Sequence, residues 1–416
     1  MKVCVLGAGV VGVATAYFLA RDGHAVTVIE KNPAAGLETS FANGGQLSYS
    51  YVAPLAGPGV LSKLPGWLSS RDAPLRFVPQ FDLHQWRWCL DFVRACSRSR
   101  SRTSTAELLP LSFLSRDLTR QLTTAEGLDY DWQQNGKLVV YRDPAAFVDA
   151  VALVDYQASL GCEQQALDEA QCLELEPTLE GLRGRIQGGI YTPSEDAGDC
   201  RRFCDGLARA LAGRYGVQLL FNHTLQELRC EGRRIIAART DQGEIEADAF
   251  VVALGLGSRR ALLPLGVRLP LYPLKGYSLT LPVRDGDRAP VVSITDAHHK
   301  IVYARLGKEL RIAGMVELAG ENTDLSPRRL AALLAQARDS FPNAGDYDQA
   351  QPWVGLRPAT PDSKPILDAT PYANLWLNVG HGALGFTLAC GSGRVVADLV
   401  AGRRPPIPIE GFRLGR

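Results

Sequence analysis

The sequence predicts an α/β protein of two domains, one of which is built on a parallel sheet and assembled from separated parts of the chain. Three observations predict this fold. Residues 3–30 read as strand, glycine-rich turn, helix and second strand. A second glycine-rich junction between a strand and a helix occupies residues 375–400. The 416 residues exceed what one hydrophobic core usually serves, so a second, α+β domain with a mixed sheet is expected.

The first 30 residues carry the pattern of a βαβ unit that binds a dinucleotide. Gly7 permits the tight turn after the first strand, Gly9 has no Cβ to block a pyrophosphate, and Gly12 lets the helix lie close on the strand. Glu30 ends the second strand, where it can accept hydrogen bonds from ribose hydroxyls. The motif by itself does not choose between NAD and FAD.

The junction near the C-terminus favours FAD. Residues 375–379 read as a strand, the turn GHGALG follows at 380–385, and a helix is predicted from about Thr387 to Val400. A flavin that accepts hydride gathers negative charge around N1 and C2=O, which the N–H groups of a helix start stabilise. The pattern therefore predicts a discontinuous FAD-binding Rossmann fold of the glutathione-reductase type. His381 lies beside the turn as a candidate proton carrier.

Arg357 is the candidate anchor for a substrate carboxylate. It stands in the run VGLRPATPD at 354–362, close to a glycine, and the proline that follows it restricts its backbone. A guanidinium held in this way presents its planar fork to a carboxylate with little further loss of freedom. A salt bridge within the fold is the alternative use of the same residue.

Composition excludes several other classes of protein. The formal net charge is +1, from 45 basic and 44 acidic side chains, so no nucleic-acid partner is expected. None of the nine cysteines forms a C-x-x-C pair, and the spacing of Cys200 and Cys204 favours packing on one helix face, so no metal is predicted. Because we find neither a signal-peptide pattern nor a long apolar run, we expect a cytoplasmic protein.

One segment suggests contact with a membrane surface. Aromatic and aliphatic side chains precede a cluster of arginines, an arrangement that can lie on the anionic inner face of the cell membrane. A core helix with a solvated arginine end is the alternative. The residues concerned are Trp67, Leu68, Trp86, Trp88, Leu90, Phe92, Arg94, Arg98, Arg100 and Arg102.

The order of predicted elements divides the chain. Helices are expected over 85–96, 105–126, 145–160 and 199–215, and Pro110 suits either an early helical turn or a short break in the second of them. We assign residues 1–50, part of 140–225, 245–265 and 350–416 to the FAD-binding domain. Residues 51–139 and 266–349 form the predicted substrate-binding domain, with a helical insertion.

Together these motifs resemble those of the FAD-dependent D-amino-acid dehydrogenases, in particular their small catalytic subunit, within the glycine-oxidase and D-amino-acid-oxidase superfamily. The resemblance runs from Met1 to about Pro408 and includes GAGVVGVA, ETSFANGGQ, YPLKGYSLT, GLRPATPD and LNVGHGALGFTLACGSG. It implies that Arg357 binds the substrate carboxylate. It also implies that FAD contacts Gly7, Gly9, Val10, Val11, Gly12, Glu30, Lys31, Ser40, Asn43, Gly44, Gly45, Gln46, Leu225, Ala253, Gly255, Gly380, Gly382, Ala383, Leu384, Gly385, Phe386 and Thr387.

One stretch departs from the pattern of that family. The run Ser48-Tyr49-Ser50-Tyr51 stands where these dehydrogenases typically read Ser-Pro-Gly-Tyr. An added aromatic ring in this run, near the substrate entrance, would change the volume and shape of the pocket. Tyr51 and Tyr303, the latter on a strand that overlooks the flavin in this superfamily, are candidate rings there. D-proline or a hydroxy-D-proline is therefore a contender beside a D-alanine-like substrate.

The resemblance implies an enzyme that moves hydride from the substrate Cα to flavin N5 and passes the electrons to a quinone or another carrier. An acyclic imino acid then hydrolyses to a 2-oxo acid and ammonia, whereas a cyclic imine is released. Two alternatives remain open: an oxygen-using oxidase of the same fold, and a flavin-bearing subunit of a larger dehydrogenase.

Overall fold

The computed structural model describes residues 1–57, 59–61 and 75–416, so Trp67 and Leu68 lie outside the described residues. Strands and helices are mixed along the chain, and the α/β class predicted from the sequence is confirmed. The helices are α1 (Val10–Arg21), α2 (Leu83–Ala95), α3 (Arg98–Glu126), α4 (Pro144–Ala158), α5 (Glu169–Leu175), α6 (Cys200–Tyr215), α7 (Gly257–Leu262), α8 (Pro327–Ser340) and α9 (Gly385–Val400).

Within the described residues, the strands form two large sheets, a three-stranded sheet (β10-β11-β12) and a short pair (β3-β8). In chain order they are β1 (Lys2–Leu6), β2 (Ala25–Ile29), β3 (Gln46–Leu47), β4 (Leu75–Phe77), β5 (Lys137–Tyr141), β6 (Gln165–Leu167), β7 (Gly188–Thr192), β8 (Asp196–Ala197), β9 (Gln218–Leu220), β10 (Leu225–Glu231), β11 (Arg234–Thr240), β12 (Gly243–Glu246), β13 (Ala249–Val252), β14 (Tyr272–Pro282), β15 (Ser293–Asp296), β16 (Ile301–Leu306), β17 (Glu309–Leu318), β18 (Gln351–Ala359), β19 (Ile366–Ala369) and β20 (Leu375–Val379).

The first large sheet is assembled from the start, the middle and the end of the chain. Its strands follow the order β19-β20-β13-β1-β2-β9, and all neighbouring pairs are parallel except the edge pair β19–β20. Helices α1, α6 and α9 share its core through buried side chains such as Val13, Phe203 and Leu388. Parallel strands covered in this way are apolar on both faces, which explains the continuous apolar run of β1.

The second large sheet is mixed, as predicted. Its strands follow the order β18-β14-β17-β16-β15-β5-β7-β6, with β4 paired to β17. The β15–β5 and β17–β4 pairs are parallel, whereas pairs such as β14–β17 and β14–β18 are antiparallel. One face packs on α8, with Ile294, Ile312 and Leu333 in a common core. The other face meets the first domain, where Ser278 Oγ donates a hydrogen bond to Ala42 O at 2.7 Å.

Helix α3 is longer than predicted. It passes through Pro110 without the short break that was one of the two predicted possibilities, and it begins after Ser97, which accepts a hydrogen bond from Arg100 N. Pro110 is exposed and removes one amide donor, whereas Leu108 and Leu111 on the inner face are fully buried. Tertiary packing of the apolar face therefore outweighs the local interruption.

Sheet membership differs from the predicted division of the chain. Strand β18, within 350–416, belongs to the second large sheet, as do β6 and β7 in the segment 140–225, of which only a part is assigned to the FAD-binding domain. Helix α3, predicted in the substrate-binding domain, packs on α9 and contributes Leu108 and Leu122 to the core of the first sheet. An amphipathic pattern shows that an element has a buried face but not which element covers it.

Helix α9 lies between α1 and α3 and has a glycine at each contact. A Cβ on Gly391 would lie 2.7 Å from Leu111 O, and a Cβ on Gly393 would lie 3.0 Å from the carbonyl carbon of Ala14. Residues 382–400 are long and apolar enough to span a membrane, but 72% of the apolar window is buried inside the protein. The apolar composition of α9 is therefore that of a core helix that packs tightly between α1 and α3.

We expect Gly391→Ala to destabilise the protein by about 1–3 kcal/mol, because the new methyl group forces the α3 backbone away from α9. Chemical denaturation followed by circular dichroism measures this change. Gly213→Ala in α6 is the matched control, since a Cβ there meets nothing within 4 Å. The control is expected to be neutral or stabilising by up to about 1 kcal/mol, through helix propensity. Equal stability of the two variants would contradict the wedged packing.

Candidate functional site

Two of the three glycines at the β1–α1 turn are required by the backbone itself. Gly7 has a φ of +106°, and a Cβ there would lie 2.6 Å from Ala253 O. A Cβ on Gly12 would overlap Gly7 O. A larger residue does not fit at either position, because the start of α1 lies close to the ends of β1 and β13.

Gly9 differs from its neighbours, because the protein leaves the space beside it open. A Cβ at Gly9 would meet only Ser40 Oγ, at the ordinary contact distance of 3.7 Å. Ser40 Oγ accepts a hydrogen bond from Val10 N at 3.1 Å, which brings the hydroxyl to the helix start. Val11 and Gly12 follow in the first turn of α1. This open turn, with only the small Ser40 hydroxyl beside it, fits a pyrophosphate at the positive end of the helix.

Glu30 is held at the end of β2 by three hydrogen bonds. Its carboxylate is 8% exposed and accepts from Ala8 N at 2.8 Å and from Asn32 N and Nδ2 at 2.9 and 2.7 Å. A carboxylate has further lone pairs with which to accept ribose hydroxyls. Lys31 points to the surface, where it pairs with Glu38 at 2.7 Å.

Three other residues predicted at the ADP part lie near the same edge of the first sheet. Ala253 follows β13 and donates its N–H to Leu6 O at 2.8 Å. Gly255 has a φ of +56°, a conformation that favours glycine. Leu225 begins β10 and packs against the cluster that contains Ile29, one residue before Glu30. The structure thus brings these residues to the end of β2 where Glu30 lies.

The loop over residues 43–48 is fastened to the second sheet by Gln46. Gln46 Nε2 donates to Ile294 O at 3.0 Å and to Tyr303 O at 3.1 Å, so one amide spans strands β15 and β16. A Cβ on Gly44 would lie 3.0 Å from Val302 Cγ2. The loop backbone therefore lies close to the sheet, and the amide of Gln46 is used within the fold.

The buried side chain of Arg311 also holds this loop in place. The sequence does not predict Arg311 as a site residue. Its guanidinium donates to Asn43 O at 2.9 Å, to Thr280 Oγ1 at 2.8 Å and to Asp199 Oδ2 at 3.2 Å. Asn43 Oδ1 in turn accepts from Gly45 N at 3.0 Å. The sequence signal for this role is an arginine within a mostly apolar strand. Such an arginine is expected to be buried, and the Arg311 guanidinium, 5% exposed, requires several polar partners.

The start of α9 offers backbone donors without a side-chain cap. Gly380 and Gly382 have φ of +83° and +55°, and a 3₁₀ turn over 382–384 leads into the helix. No side chain of the described residues caps this start, and Thr387 Oγ1 accepts from Ser48 N at 3.0 Å. The turn and the first helical residues that face this region are Gly382, Ala383, Leu384, Gly385, Phe386 and Thr387.

His381, the candidate proton carrier from the sequence, is buried beside α9. Its side chain is 3% exposed, and Nε2 lies 3.1 Å from Ser392 Oγ on α9. Burial lowers the pKa of the His381 imidazole to about 3, so the ring is neutral at physiological pH. The contact with Ser392 fixes the turn before α9, which is a structural role.

Arg357 lies on β18 with its guanidinium over the backbone of Gly276 on β14. A Cβ on Gly276 would collide with the guanidinium, so the glycine is needed for this approach. Nη1 lies 3.4 Å from Met315 O, at a residue with φ of +62° beside an irregularity in the β14–β17 pairing. Among the residues that the structure describes, no carboxylate forms an ion pair with Arg357. Desolvation lowers the pKa of Arg357 to about 10, and the group remains cationic at neutral pH.

The two predicted tyrosines have different surroundings. Tyr303 is fully buried in the core of the second sheet, with its ring centre 4.7 Å from that of Phe341. Neighbouring strand residues alternate faces, and Val302, which precedes Tyr303, is the residue that faces Gly44. Tyr51 is 36% exposed, and Lys137 Nζ lies 4.2 Å from its ring centre. Lys137 lies on β5 and Arg357 lies on β18, and four strands of the second sheet lie between them.

Other aromatic rings lie beside the Arg357 strand. Trp88 on α2 donates from Nε1 to Ala359 O at 2.9 Å, and its ring centre is 5.6 Å from that of Tyr272. The Tyr272 hydroxyl accepts from Gln85 Nε2 at 2.8 Å. The sequence predicts Trp88 in a membrane-facing group, but its ring is 2% exposed and faces inward. The ring therefore packs beside the end of β18, at Ala359, two residues after Arg357.

The donor set fits FAD. Two helix starts, the Glu30 carboxylate and the loop over 43–48 lie between the edge of the first sheet and the face of the second. The α1 start suits the pyrophosphate, and the uncapped α9 start suits the electron-rich pyrimidine part of the flavin. Arg357 adds a cation without an ion-pair partner among the described residues.

We expect Gly9→Ala to weaken FAD binding by at least about tenfold while leaving the apoprotein as stable as the parent. The added methyl group has room in the protein but would occupy the space proposed for the pyrophosphate. Titration of apoprotein with FAD, followed by fluorescence, measures the affinity, and thermal unfolding of the apoprotein is the control. Unchanged affinity would show that the cofactor phosphates lie elsewhere.

Comparison of the chain with solved structures shows the fold. Glycine oxidase from Geobacillus kaustophilus superimposes with a TM-score of 0.79 at 22% identity, covering 100% of this chain and 99% of that one. L-proline dehydrogenase from P. horikoshii superimposes with a TM-score of 0.78 at 17% identity, covering 99% of this chain and 96% of that one.

Comparison with known sequences shows the family. The model of the FAD dependent oxidoreductase family, DAO, matches residues 2–399. A "D-amino acid dehydrogenase 2" of Ralstonia nicotianae is 52% identical over 425 residues and all of both chains, and one of Pseudomonas aeruginosa is 51% identical over 407 residues, 97% of this chain and 96% of that one. The predicted cofactor and enzyme class are thereby confirmed, and the chain belongs to the DAO family of FAD-dependent oxidoreductases.

Proposed function

We propose that the protein is a dehydrogenase that oxidises a D-amino acid or a cyclic D-imino acid, as a step of amino-acid catabolism. The observation that carries the proposal is the cationic fork of Arg357, which lies beside the proposed flavin site without an ion-pair partner among the described residues. A substrate carboxylate supplies the missing charge. The relatives named D-amino acid dehydrogenase, more than 50% identical over nearly the whole chain, support this substrate class.

Arg357 orients the substrate rather than activating it. Its guanidinium is held over Gly276 by the β14–β18 pairing, so a carboxylate bound to its fork has one orientation. FAD, when bound, supplies the acceptor for the hydride that leaves the substrate Cα. The amine must be unprotonated for its lone pair to expel the hydride, and His381, neutral and buried, is not available as a base. The rate therefore rises with pH through the amine pKa of the bound substrate.

A compact side chain fits best beside Arg357. The buried rings of Trp88 and Tyr272 limit the space next to the β18 strand, and Tyr49 is fully buried away from the pocket. D-Alanine-like substrates, D-proline and hydroxy-D-proline are all compact, and they remain the proposed substrates. Tyr51 remains the proposed ring of the 48–51 run that is open to a ligand.

Anaerobic bleaching of the flavin tests the substrate class. D-Alanine, D-proline, hydroxy-D-proline and the L-enantiomers are each mixed with the FAD-loaded protein, and absorbance at the flavin band is recorded. Bleaching by D-substrates alone supports the proposal. Bleaching by L-substrates alone would contradict the proposed chirality. If no amino acid bleaches the flavin, the chain is a flavin-bearing subunit of a larger complex, and hydrogen peroxide formed in air would identify an oxidase.

We expect Arg357→Ala to raise the substrate Kd by about 100-fold or more, since truncating one partner of a buried charge pair costs about 2–5 kcal/mol. The concentration dependence of anaerobic flavin reduction measures this Kd. Arg357→Lys is the matched control: it keeps the positive charge but loses the bidentate fork, so an intermediate loss is expected. Unchanged affinity in Arg357→Ala would remove this residue from the site.

We also propose that the outer face of α2 contacts an anionic membrane surface, where a quinone or another carrier accepts the electrons of this cytoplasmic enzyme. Leu83, Trp86, Leu90 and Val93 follow helical spacing and are 88%, 50%, 50% and 44% exposed. Arginines flank this stripe, whereas Trp88 and Phe92 face inward. An exposed apolar stripe with basic neighbours is suited to the interface of a bilayer. The flanking arginines are Arg87, Arg94, Arg98, Arg100 and Arg102.

We expect the double variant Leu83→Glu, Trp86→Glu to lose sedimentation with vesicles of phosphatidylglycerol, because it places acids on the apolar stripe. Val148→Glu is the matched control, as Val148 is 66% exposed on α4 away from the stripe. Parent and control are expected to bind more weakly at high salt. Equal sedimentation of the double variant and the control would exclude this face as the contact.

A further inference from the structure

A buried lysine and a buried glutamate lie close to the loop over 43–48 and have no part in the function proposed above. Lys137 on β5 is 3% exposed, and Glu195, just before β8, is 0% exposed. Ionisable side chains are seldom this deeply buried without a direct partner of opposite charge. The two groups influence each other electrostatically, yet they do not form a direct ion pair.

The Lys137 ammonium is held in one position. Nζ donates a hydrogen bond to Ser48 Oγ at 2.8 Å and lies 4.2 Å from the centre of the Tyr51 ring. Hydroxyl and ring both stabilise a cation, and the ring also shields it from water. Since β5 pairs with β15 and β7 on either side, the backbone below the lysine is rigid.

The Glu195 carboxylate faces the backbone of the same run. Oε1 accepts from Ser50 N at 2.6 Å, whereas Oε2 is buried and has no hydrogen-bond partner among the described residues. Burial raises the pKa of the Glu195 carboxyl and lowers the pKa of the Lys137 ammonium. Mildly acidic pH favours a charged lysine beside a neutral glutamate, which leaves a net positive charge in the cluster.

This charge lies next to the start of α9. Ser48 connects the two, because its Oγ accepts from Lys137 Nζ and its N–H donates to Thr387 Oγ1 at 3.0 Å. Thr387 is in the first turn of α9, whose backbone donors fit the pyrimidine part of the flavin. A flavin bound there would gain one negative charge with the hydride that it accepts, and that charge would be greatest at the part of the ring that faces the α9 start.

We propose that Lys137 is an electrostatic positioning residue for the flavin: its ammonium, fixed by Ser48 and Tyr51 behind the α9 start, stabilises the negative charge that the cofactor gains on reduction. The residue acts through space and through Ser48, without touching the substrate. It raises the tendency of the flavin to accept electrons, and it adds to the effect of the helix start. This role rests on FAD binding and not on the identity of the substrate.

The test measures the flavin in the absence of any amino acid. FAD-loaded parent and Lys137→Met proteins are reduced with dithionite beside a reference dye at pH 6, and sulfite binding to the oxidised flavin is titrated separately. We expect a lower midpoint potential in Lys137→Met. We also expect about tenfold weaker sulfite binding, the scale of two unit charges about 10 Å apart at an effective dielectric constant of about 20.

Glu195→Gln is the matched control, because at pH 6 it alters the same buried cluster without removing a charge. It is expected to keep the potential and the sulfite affinity of the parent. Lys137→Gln, which is neutral but retains a donor for Ser48, replaces Lys137→Met if that variant does not retain FAD. Parent-like values in the neutral lysine variants would overturn the proposal. Equal shifts in Glu195→Gln and Lys137→Met would also overturn it, since the cause would then be packing.

Discussion

The contacts of the loop over 43–48 with both domains position the rest of the candidate site. Gln46 bonds to carbonyls of two neighbouring strands, Arg311 bonds to the carbonyl of Asn43, and Ser48 bonds to Thr387 at the start of α9. Each bond is buried or partly buried, so an unmade partner would carry a desolvation cost of about 1–3 kcal/mol. The loop therefore joins the first sheet, with its two helix starts, to the face of the second sheet.

Positive charge without a direct ion pair is the main electrostatic feature of this region. The Arg357 guanidinium lies near one end of the second sheet and the Lys137 ammonium lies beyond four intervening strands, while Arg311 between them is paired with Asp199. Free helix starts add to the field. A protein interior holds such charges only where a ligand or a fixed dipole compensates them. An anionic substrate and a cofactor that becomes anionic on reduction meet this requirement.

Burial changes the chemistry of side chains whose type suggests catalysis. His381 is neutral because its ring is enclosed under α9, and the Tyr303 hydroxyl is enclosed in the core of the second sheet. The Arg357 guanidinium orients a carboxylate, and Gly276 makes room for that guanidinium. Aromatic rings limit the space beside β18. Such a site works by orientation, which matches a reaction whose electron acceptor is the bound cofactor.

The sequence by itself determined the features that depend on near neighbours in the chain. The β1–α1–β2 unit, the glycines at 7, 9 and 12, the second junction before α9 and the restricted backbone at Arg357 were readable because turn geometry and helix starts are local. Only the tertiary structure decided which sheet holds β7 and β18, why α3 continues through Pro110, that Val302 rather than Tyr303 faces the loop, and that Arg311 and Lys137 belong to the site. Strand partners, the face a side chain occupies and its desolvation arise from residues far apart in the chain, so no local pattern encodes them.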